Sequence, residues 1–322
     1  MILVYVERET DGTTEVSEVS REALTFARTL AAAGGGIAID AVVVGDIEVS
    51  TLAAYGVRDI HQATGEAFES YSAAAYAAAV QAARAAAGSV VVMSGGGPLE
   101  TEVIAHVAAR EGVAMAANVV SFGGLAPFVV TRQVVGGQAM EEMQLDERPA
   151  VFTVAGHAVE AAPADTPGAG TVKPLSVEVK DADLVARVRS TAVREAGETG
   201  DLKKARIVVG AGRGAGGADG FTHVDELAAI LGGTVGVSRV VTSLGWRPHH
   251  EQVGQTGTRI SPEVYIPCGI SGAIQHWAGC SSSKVILAIN TDAEAPMVTK
   301  ATYAVIGDMH EVLPALNEAL RS

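Results

Sequence analysis

Cysteine is scarce in this sequence of 322 residues. The two cysteines, Cys268 and Cys280, are too few for a disulfide framework or a four-thiolate metal site. We therefore interpret both as small buried hydrophobic residues in a protein of the reducing cytoplasm. His61, His106 and His157 have no second ligand at metal spacing, and we predict structural or surface roles for all three.

Long apolar runs are missing as well. No run reaches the roughly 18–20 residues that a membrane-spanning helix requires, so we expect a protein that is not embedded in a membrane. The N-terminal sequence MILVYVERET lacks the basic stretch of a signal peptide, and Glu7 and Glu9 interrupt its apolar residues. We predict a first strand there. Only 14 aromatic residues (6 Phe, 6 Tyr and 2 Trp) accompany 37 Gly, which indicates many turns and close approaches of the backbone.

Positive charge is in short supply in the first two hundred residues. The net charge is −14, and residues 201–322 contribute only −1 of it, from 10 Lys and Arg against 11 Asp and Glu. The remaining −13 falls in residues 1–200. Such an acidic surface repels nucleic-acid phosphates and anionic lipids, so we expect neither nucleic acid nor a membrane surface as a partner. The unequal charge predicts two chemically different domains, 1–198 and 199–322.

Short apolar runs alternate with helical stretches in the first domain. This alternation predicts an α/β domain with a parallel sheet and helices on its faces. The predicted elements are strand Ile2–Val6, helix Arg21–Ala33, strand Ile37–Val44, helix Phe68–Ala87, strand Ser89–Met93 and helix Pro98–Arg110.

The pattern changes after Pro127. Phe128–Val135 and Ala150–Val154 predict strands that pair antiparallel at the edge of the same sheet. Ala161–Lys173 predicts a loop, and Lys180–Glu198 predicts a charged connector to the second domain. The turn Ser94–Pro98 could receive an anion at a helix N-terminus, but we favour a tight strand-to-helix connection without a ligand.

The second domain contains the glycine-rich segment Gly210–Gly217 after a predicted strand. Gly212, Gly214 and Gly217 match the pattern G-x-G-x-x-G, whose glycines let the backbone approach a pyrophosphate. Arg213 adds a fork of hydrogen-bond donors to this turn.

The next predicted strand, Thr234–Val237, ends at Ser238 and Arg239. An Arg at this point of a dinucleotide-binding domain, where an acidic residue is usual, favours the 2′-phosphate of NADP. The pattern alone therefore predicts an NADP-dependent oxidoreductase that uses the glycine turn and Arg239.

Further polar segments follow the later strands. Gly269–His276 is a second glycine-rich turn that opens a helix and could hold an anion. Asn290 and Asp308 follow the next two predicted strands, at the strand ends where an open α/β sheet binds its ligand, and they suit ribose hydroxyls or an adenine edge. Gln252–Gly257 is a polar loop whose amide and hydroxyl groups can bond to the nitrogen and oxygen atoms of a flavin ring.

Residues Gly212–Asp308 closely resemble the α subunit of electron transfer flavoprotein. The matching motifs are GRG, SR, QVGQTG, GISGAIQH, SK-x-I-x-AIN and Y-x-V-x-GD. QVGQTG and GISGAIQH at this spacing are highly specific. Residues 1–200 resemble the first domain of the same family more weakly.

The resemblance implies an α/β fold of two domains. The N-terminal domain would be a parallel-sheet, nucleotide-hydrolase-like domain that contacts a partner, and the C-terminal domain would be Rossmann-like (deoxyhypusine-synthase-like) and bind one FAD. The partner would be an electron transfer flavoprotein β subunit in a heterodimer, and in the family this subunit carries AMP. The protein would be an electron carrier without a substrate of its own. It would take electrons from dehydrogenases, acyl-CoA dehydrogenases being expected, and deliver them to a membrane-associated quinone reductase in fatty acid oxidation.

The resemblance also implies which residues hold the nucleotide part of FAD. Arg213, Ser238 and the turn Ser271–Gln275 would hold the phosphates and the ribityl chain. Asn290 and Asp308–Met309 would serve the adenosine end.

A second implied group surrounds the flavin ring. Arg239 would lie against the isoalloxazine, Thr256 would bond to N5, and His276 would face the N1/O2 edge, where a positive group raises the flavin potential. The implied FAD contacts, which include no catalytic residue and no metal ligand, are Arg213, Ser238, Arg239, Val253, Gly254, Gln255, Thr256, Ser271, Gly272, Ala273, Ile274, Gln275, His276, Asn290, Asp308 and Met309.

Two other functions stay open from the residues. The NADP-dependent oxidoreductase requires a substrate pocket with a proton donor, and it leaves QVGQTG unexplained. A subunit that binds a nucleotide only for structure would be colourless after purification with its partner. The sequence offers no candidate nucleophile or acid–base dyad, which agrees with a carrier.

Overall fold

A computed structural model describes residues 1–9, 13–135, 139–156, 158–190, 202 and 205–321. The chain divides into two compact units. Unit 1 comprises the described residues up to 190, and unit 2 comprises residues 202 and 205–321. The division falls within 191–201, and this segment, together with the predicted boundary after residue 198, lies outside the described residues.

Unit 1 is built on a nine-stranded sheet with the order β7-β6-β5-β8-β4-β1-β2-β3-β9. Its strands are β1 Ile2–Tyr5, β2 Ile39–Val44, β3 Asp59–Ala63, β4 Val91–Gly95, β5 Met115–Leu125, β6 Phe128–Val134, β7 Ala139–Gln144, β8 Ala150–Val154 and β9 Thr171–Pro174. Its helices are α1 Glu18–Ala33, α2 Val49–Ala54, α3 Ala73–Ala87 and α4 Pro98–Glu111.

The central strands form because both of their faces are buried. In β1, Ile2 and Val4 pack into a core with α1, whereas Leu3 and Tyr5 pack into a second core with α3 and α4. Side chains alternate between the two faces of a strand, so an unbroken apolar run fits a sheet covered by helices on both sides. The predicted α/β fold of this half is therefore confirmed.

The predicted pairing of Ala150–Val154 is wrong. This segment forms β8, which lies inside the sheet and pairs parallel with both β4 and β5. Among the named strands of the described part of unit 1, antiparallel pairing is confined to β6 with β5 and β7 with β6. All five residues of β8 are buried, which is the pattern of an interior parallel strand rather than an edge. The predicted loop 161–173 also ends in a strand, because β9 pairs with β3 from Thr171 onwards.

Unit 2 is built on a five-stranded sheet with the order β11-β10-β12-β13-β14, and all of its pairs are parallel. Its strands are β10 Ile207–Ala211, β11 Thr234–Val237, β12 Val264–Cys268, β13 Val285–Asn290 and β14 Tyr303–Ile306. Its helices are α5 Thr222–Ile230, α6 Arg239–Ser243, α7 Ile274–Trp277, α8 Pro296–Thr299 and α9 Met309–Arg321.

The strand order of unit 2 contains a switch point. After β10 the chain first adds β11 on one side and then adds β12 on the other. The turns that leave β10 and β12 therefore open a crevice at the carboxyl ends of these strands, which is where an open α/β sheet binds its ligand. This is the predicted Rossmann-like architecture.

Two expectations from the composition concern the cysteines and the length of the apolar segments. Cys268 and Cys280 are both buried free thiols, and burial raises the pKa of each to about 12, so neither is a reactive thiolate at neutral pH. None of the helices in the described part of the chain is long and apolar enough to cross a membrane.

Candidate functional site

Two glycine-rich turns meet at the switch point. The amide of Gly212 donates to the carbonyl oxygen of Cys268 at 3.0 Å, and the amide of Gly214 donates to the carbonyl oxygen of Gly269 at 3.1 Å. A Cβ on Gly214 would lie 2.6 Å from the Cα of Gly269, so only glycine allows this contact. A Cβ on Gly217 would have no atom within 4 Å. The turn is therefore closely packed on its inner side and open on its outer side, as a turn that receives a ligand requires.

Two arginines lie at this opening. Arg213 begins the 3-10 turn Arg213–Ala215 after Gly212, and Arg239 begins α6 directly after β11. Both are exposed, and within the described residues neither guanidinium forms an ion pair. By contrast, Arg247 is bonded to Asp225 and Glu251. Arg213 and Arg239 thus provide the positive charge that an anionic ligand needs.

Ser238 lies between β11 and Arg239. Its amide donates to the carbonyl oxygen of Ala211 at 3.1 Å, which holds it beside the end of β10. Its hydroxyl is buried and has no hydrogen-bond partner among the described residues. A buried hydroxyl without a partner costs free energy, and a ligand phosphate or hydroxyl oxygen would remove that cost.

Two backbone hydrogen bonds, from Val253 and Gln255, fix the loop Val253–Gly257 to the site. The amide of Val253 donates to the carbonyl oxygen of Val237 at 2.9 Å, and the amide of Gln255 donates to the carbonyl oxygen of Gln275 at 2.8 Å. Val253 and Gly254 are buried, whereas the side chains of Gln255 and Thr256 are exposed. The loop therefore presents one amide and one hydroxyl beside the second glycine turn.

Thr256 is oriented by Gln252 of the same polar loop and, through it, by Thr242, which the sequence pattern does not single out as functional. Gln252 is buried, and its Nε2 donates to Oγ1 of Thr256 at 3.0 Å. Oγ1 of Thr242 in turn donates to Oε1 of Gln252 at 2.6 Å. Because the Thr256 oxygen accepts from Gln252, its own hydrogen is available to donate outward.

The second turn places its polar residues at the surface. Gly272 has a φ of 77°, and a Cβ there would lie 2.5 Å from the amide nitrogen of Met297, so this position requires glycine. The side chains of Ser271, Ala273, Ile274 and Gln275 are exposed. Ile274 is 64% exposed, which is unusual for a large apolar side chain.

His276 is different, because it is buried. Its Nε2 lies 2.8 Å from the hydroxyl of Tyr265, and its Nδ1 is buried without a partner in the described part of the chain. Burial lowers the pKa of His276 to about 4, so the imidazole is neutral at pH 7. The expectation of a positive group at this position therefore does not hold for His276 in this structure.

Asn290 and Asp308 lie at strand ends as predicted, but their polar groups serve the protein itself. Nδ2 of Asn290 donates to the carbonyl oxygen of Ile270 at 3.0 Å, which fixes the second turn to β13. Oδ1 of Asp308 accepts from the amide of His310 at 2.9 Å and so caps α9. Met309 is a buried core residue whose sulfur approaches Gly269. Asn290 and Met309 therefore contact the second glycine turn, and Asp308 caps the helix that begins with Met309.

His310 is a residue near the site that the sequence pattern does not indicate. Its Nε2 lies 3.1 Å from the carbonyl oxygen of Gly214. It follows the strand-end Asp308, so a search over the whole first turn of α9 could have found it.

The glycine turn of unit 1 differs from the two turns of unit 2. A Cβ on Gly95 would lie 2.7 Å from the carbonyl oxygen of Val19, and the carboxylate of Glu100 lies over Gly97. Glu100 is buried at the N-terminus of α4. A carboxylate of the chain therefore occupies the place where an anion would bind, which supports a tight connection without a ligand.

The predicted histidine roles outside unit 2 are partly resolved. His61 is buried with Nε2 3.4 Å from Oδ2 of Asp40, and His106 is exposed on α4. His157 lies outside the described residues. No group of three or more His, Cys, Asp or Glu within the described ranges is arranged to hold a metal ion.

Comparison with known families identifies both halves of the chain. Residues 201–281 match the family model of the electron transfer flavoprotein FAD-binding domain. Residues 2–181 match that of the electron transfer flavoprotein domain.

Individual relatives match over nearly the whole length. The chain is 37% identical over 329 residues to an electron transfer flavoprotein subunit alpha of Mycobacterium tuberculosis, covering 100% of this chain and 98% of the relative. It is 33% identical over 315 residues to the subunit of that name from Thermoanaerobacterium thermosaccharolyticum, covering 95% and 94%. It is 33% identical over 312 residues to Protein FixB of Clostridium saccharobutylicum, covering 94% and 91%.

Proposed function

The chain belongs to the family of electron transfer flavoprotein α subunits, and from this premise we propose that it carries electrons from dehydrogenases to a quinone reductase on one FAD held in the crevice of unit 2. Its cofactor is FAD, and it is an electron carrier rather than an enzyme with its own substrate. When bound, FAD supplies the group that is reduced and reoxidised. The protein binds this group, orients it and sets its surroundings.

The observation that carries the proposed site is a pair of arginines without an ion-pair partner in the described part of the chain, beside an open glycine turn. Arg213 and Arg239 are exposed at the carboxyl ends of β10 and β11, next to Ser238, whose buried hydroxyl has no partner in the same part of the chain. A pyrophosphate satisfies all three groups, because it brings negative charge and acceptor oxygens to the same place.

The loop Val253–Gly257 supports a flavin ring beside that pyrophosphate. Thr256 has a hydroxyl hydrogen free to donate, because Gln252 fills one acceptor position of its oxygen. The amide of Gln255 is already bonded to Gln275, so its side chain is the group available to the ring or the ribityl chain. The exposed Ser271, Ala273 and Ile274 extend this surface. We assign Asn290, Asp308 and Met309 to the adenosine end through the shape they give the crevice rather than through free polar groups.

The partner that we propose is a β subunit that carries AMP. Support comes from the edge strand β14, where Tyr303 is 62%, Val305 39% and Ile306 54% exposed. Apolar side chains exposed together on an edge strand mark a surface that another protein chain can cover. We propose acyl-CoA dehydrogenases as electron donors, a membrane-associated quinone reductase as acceptor, and fatty acid oxidation in the cytoplasm as the setting. The N-terminal domain, 1–198, would contact the β subunit, and 199–322 would bind FAD.

A visible spectrum during stepwise dithionite reduction tests this function. The chain is purified together with its β subunit, and the near-ultraviolet and blue bands of an oxidised flavin are expected to disappear in two one-electron steps. Reoxidation by the quinone reductase and reduction by an acyl-CoA dehydrogenase with its substrate then test donor and acceptor separately. A colourless complex, or one that binds only NADP, would overturn the proposal.

A further inference from the structure

A buried tyrosine contacts the buried histidine of the site. Tyr265 is the second residue of β12 and is 0% exposed. Its hydroxyl oxygen lies 2.8 Å from Nε2 of His276 on α7. The two rings are nearly parallel, with centroids 6.1 Å apart and an interplanar angle of 25°. A rigid strand therefore fixes the position of the imidazole.

The surroundings of the tyrosine decide which atom donates. His276 is the one hydrogen-bond partner of the Tyr265 hydroxyl among the described residues. Burial raises the pKa of Tyr265 well above its usual value, so the phenol keeps its hydrogen. If His276 instead donated from Nε2 to the tyrosine oxygen, the buried hydroxyl hydrogen of Tyr265 would have no acceptor, which costs about 1–3 kcal/mol. The tyrosine therefore donates and Nε2 accepts.

The imidazole must then carry its hydrogen on Nδ1. Because burial keeps His276 neutral, the ring has one hydrogen, and Nε2 is occupied as an acceptor. Nδ1 is buried and has no partner in the described ranges. His276 thus has one N–H donor for which the described residues supply no acceptor.

The backbone is built to leave room for this tyrosine. β10 pairs with β12 in parallel, with Val208 opposite Tyr265. A Cβ on Gly210 would lie 2.6 Å from the hydroxyl oxygen of Tyr265. Glycine at this position therefore allows the hydroxyl to reach His276.

The same imidazole is tied to the loop that contains Thr256. The amide of Gln255 donates to the carbonyl oxygen of Gln275, and a Cβ on Gly254 would lie 3.6 Å from the Cα of His276. The position of His276 is therefore fixed relative to both the strand and the loop.

We propose that Tyr265 is a positioning residue that holds His276 as the Nδ1–H tautomer, so that the imidazole offers a neutral N–H donor to an acceptor atom of FAD. This inference rests on the proposed function, since FAD supplies the acceptor. It assigns hydrogen bonding rather than positive charge to His276, and it leaves Arg213 and Arg239 as the positive groups of the site. A neutral imidazole prefers the other tautomer in water, so the Tyr265 hydroxyl is what selects this one.

Nitrogen NMR of the histidine ring tests the tautomer without electron transfer. The full chain is purified with its β subunit, labelled with ¹⁵N-histidine, and examined at pH 7 after removal of FAD. His276, assigned by its loss in His276→Gln, is expected to show a protonated Nδ1 and an unprotonated Nε2. Tyr265→Phe is expected to shift the ring towards the Nε2–H form, whereas Tyr303→Phe, which changes an exposed tyrosine of the same unit, leaves it unchanged.

Two substitutions of His276 separate the contact to Tyr265 from the contact to FAD. The amide nitrogen of Asn takes the place of Nδ1, and the amide oxygen of Gln can take the place of Nε2. His276→Asn is expected to retain FAD affinity within about threefold but to destabilise the protein, because Tyr265 loses its acceptor. His276→Gln is expected to retain stability but to bind FAD about tenfold more weakly, the worth of one hydrogen bond.

The outcomes distinguish this inference from the function on which it rests. Wild-type protein that binds FAD but contains His276 as Nε2–H or as imidazolium would overturn the inference alone, and so would a Tyr265→Phe variant with an unchanged tautomer. Should Tyr265→Phe fail to fold, the wild-type NMR spectrum and the comparison of His276→Asn with His276→Gln still test the proposed tautomer. Wild-type complex that binds no FAD would overturn the proposed function itself.

Discussion

Both units place a glycine-rich turn between a strand and a following helix, yet the two turns are occupied differently. In unit 1 the carboxylate of Glu100 lies over Gly97 at the N-terminus of α4. In unit 2 the outer side of the turn at Gly217 is open, and Arg213 lies exposed beside it. One turn is filled by an acid of its own chain, and the other is left open with positive charge around it.

The two halves of the chain also differ in net charge. Residues 1–200 carry a net charge of −13, whereas residues 201–322 carry −1. A turn that binds an anion needs positive groups without intramolecular partners, and a turn that only connects two elements is stabilised by an acid at the helix N-terminus. The fold of a turn therefore does not decide its function, and the side chains around it do.

The largest expected effect is that of closing the turn in unit 2. In Gly214→Ala the new methyl group meets the backbone of Gly269, which must move. We expect a loss of stability of about 1–3 kcal/mol and a FAD affinity lower by about 5- to 150-fold. Urea unfolding and FAD titration of the complex with the β subunit measure both.

Gly217→Ala is the comparison for stability. Gly217 has an extended backbone with φ of 176° and no atom within 4 Å of a Cβ, so alanine fits without moving the backbone. Its methyl group lies on the open side of the turn, where the ligand is proposed to bind, so only the stability of this variant is compared. Equal losses of stability in the two variants would show that the contact between Gly214 and Gly269 does not constrain the two turns.

Removing the unpaired positive charges is expected to have the next largest effect. Arg213→Ala and Arg239→Ala should each weaken FAD binding by about 10- to 150-fold, the worth of a charge-assisted hydrogen bond, with little change in stability. The loss should shrink at high salt, because exposed charges are screened. Arg239→Ala should also lower the flavin potential.

Arg206→Ala is the control for charge. Arg206 pairs with Glu263 at the surface of the same unit, and surface pairs contribute little. FAD titrations at two salt concentrations compare the three variants. Wild-type affinity in both Arg213→Ala and Arg239→Ala would contradict the assignment of the opening to the phosphates.

A smaller effect is expected from uncovering the turn of unit 1. Glu100→Ala removes the buried carboxylate at the N-terminus of α4 and should destabilise the protein by about 0.3–1 kcal/mol. FAD affinity should stay the same, because unit 2 contains the whole proposed site. Urea unfolding and FAD titration test the two statements, and a changed FAD affinity would mean that the two turns are not independent.

The sequence predicts the two α/β units and the ends of their strands well, because those depend on local hydrophobic patterns. Thr234–Val237 is predicted and observed with the same bounds. The predicted pairing of Ala150–Val154 is wrong, because the partner of a strand depends on contacts between residues far apart in sequence. The available signal was the sequence AVFTV of this segment, since an apolar run broken only by Thr153 is typical of the interior of a parallel sheet.

The candidate site shows the same division. Residues at strand ends are located by sequence, but their partners are not. The ligand contact of Asn290 stays a prediction, whereas the bond from its amide to the carbonyl oxygen of Ile270 has no sign in the sequence. The partner of His276 is Tyr265, eleven residues earlier on another element, and periodicity carries no sign of that contact.

The smallest effect is expected at Glu7, a partly buried acid that follows β1 in unit 1. The hydroxyl of Tyr5 donates to its Oε1 at 2.7 Å, but burial outweighs this bond and raises the pKa of Glu7. The folded protein therefore binds this proton more tightly than the unfolded chain, so the stability it contributes is present at low pH and is lost as the pH rises through the folded pKa. Glu7→Gln keeps the acceptor for Tyr5 and removes the charge. Urea unfolding of both proteins should give equal stability near pH 4 and a more stable variant at pH 7. A variant that is less stable than the wild type at pH 7 would mean that the charged form of Glu7 stabilises unit 1. Unit 1 would then resemble unit 2, where a bound anion is proposed to be stabilising.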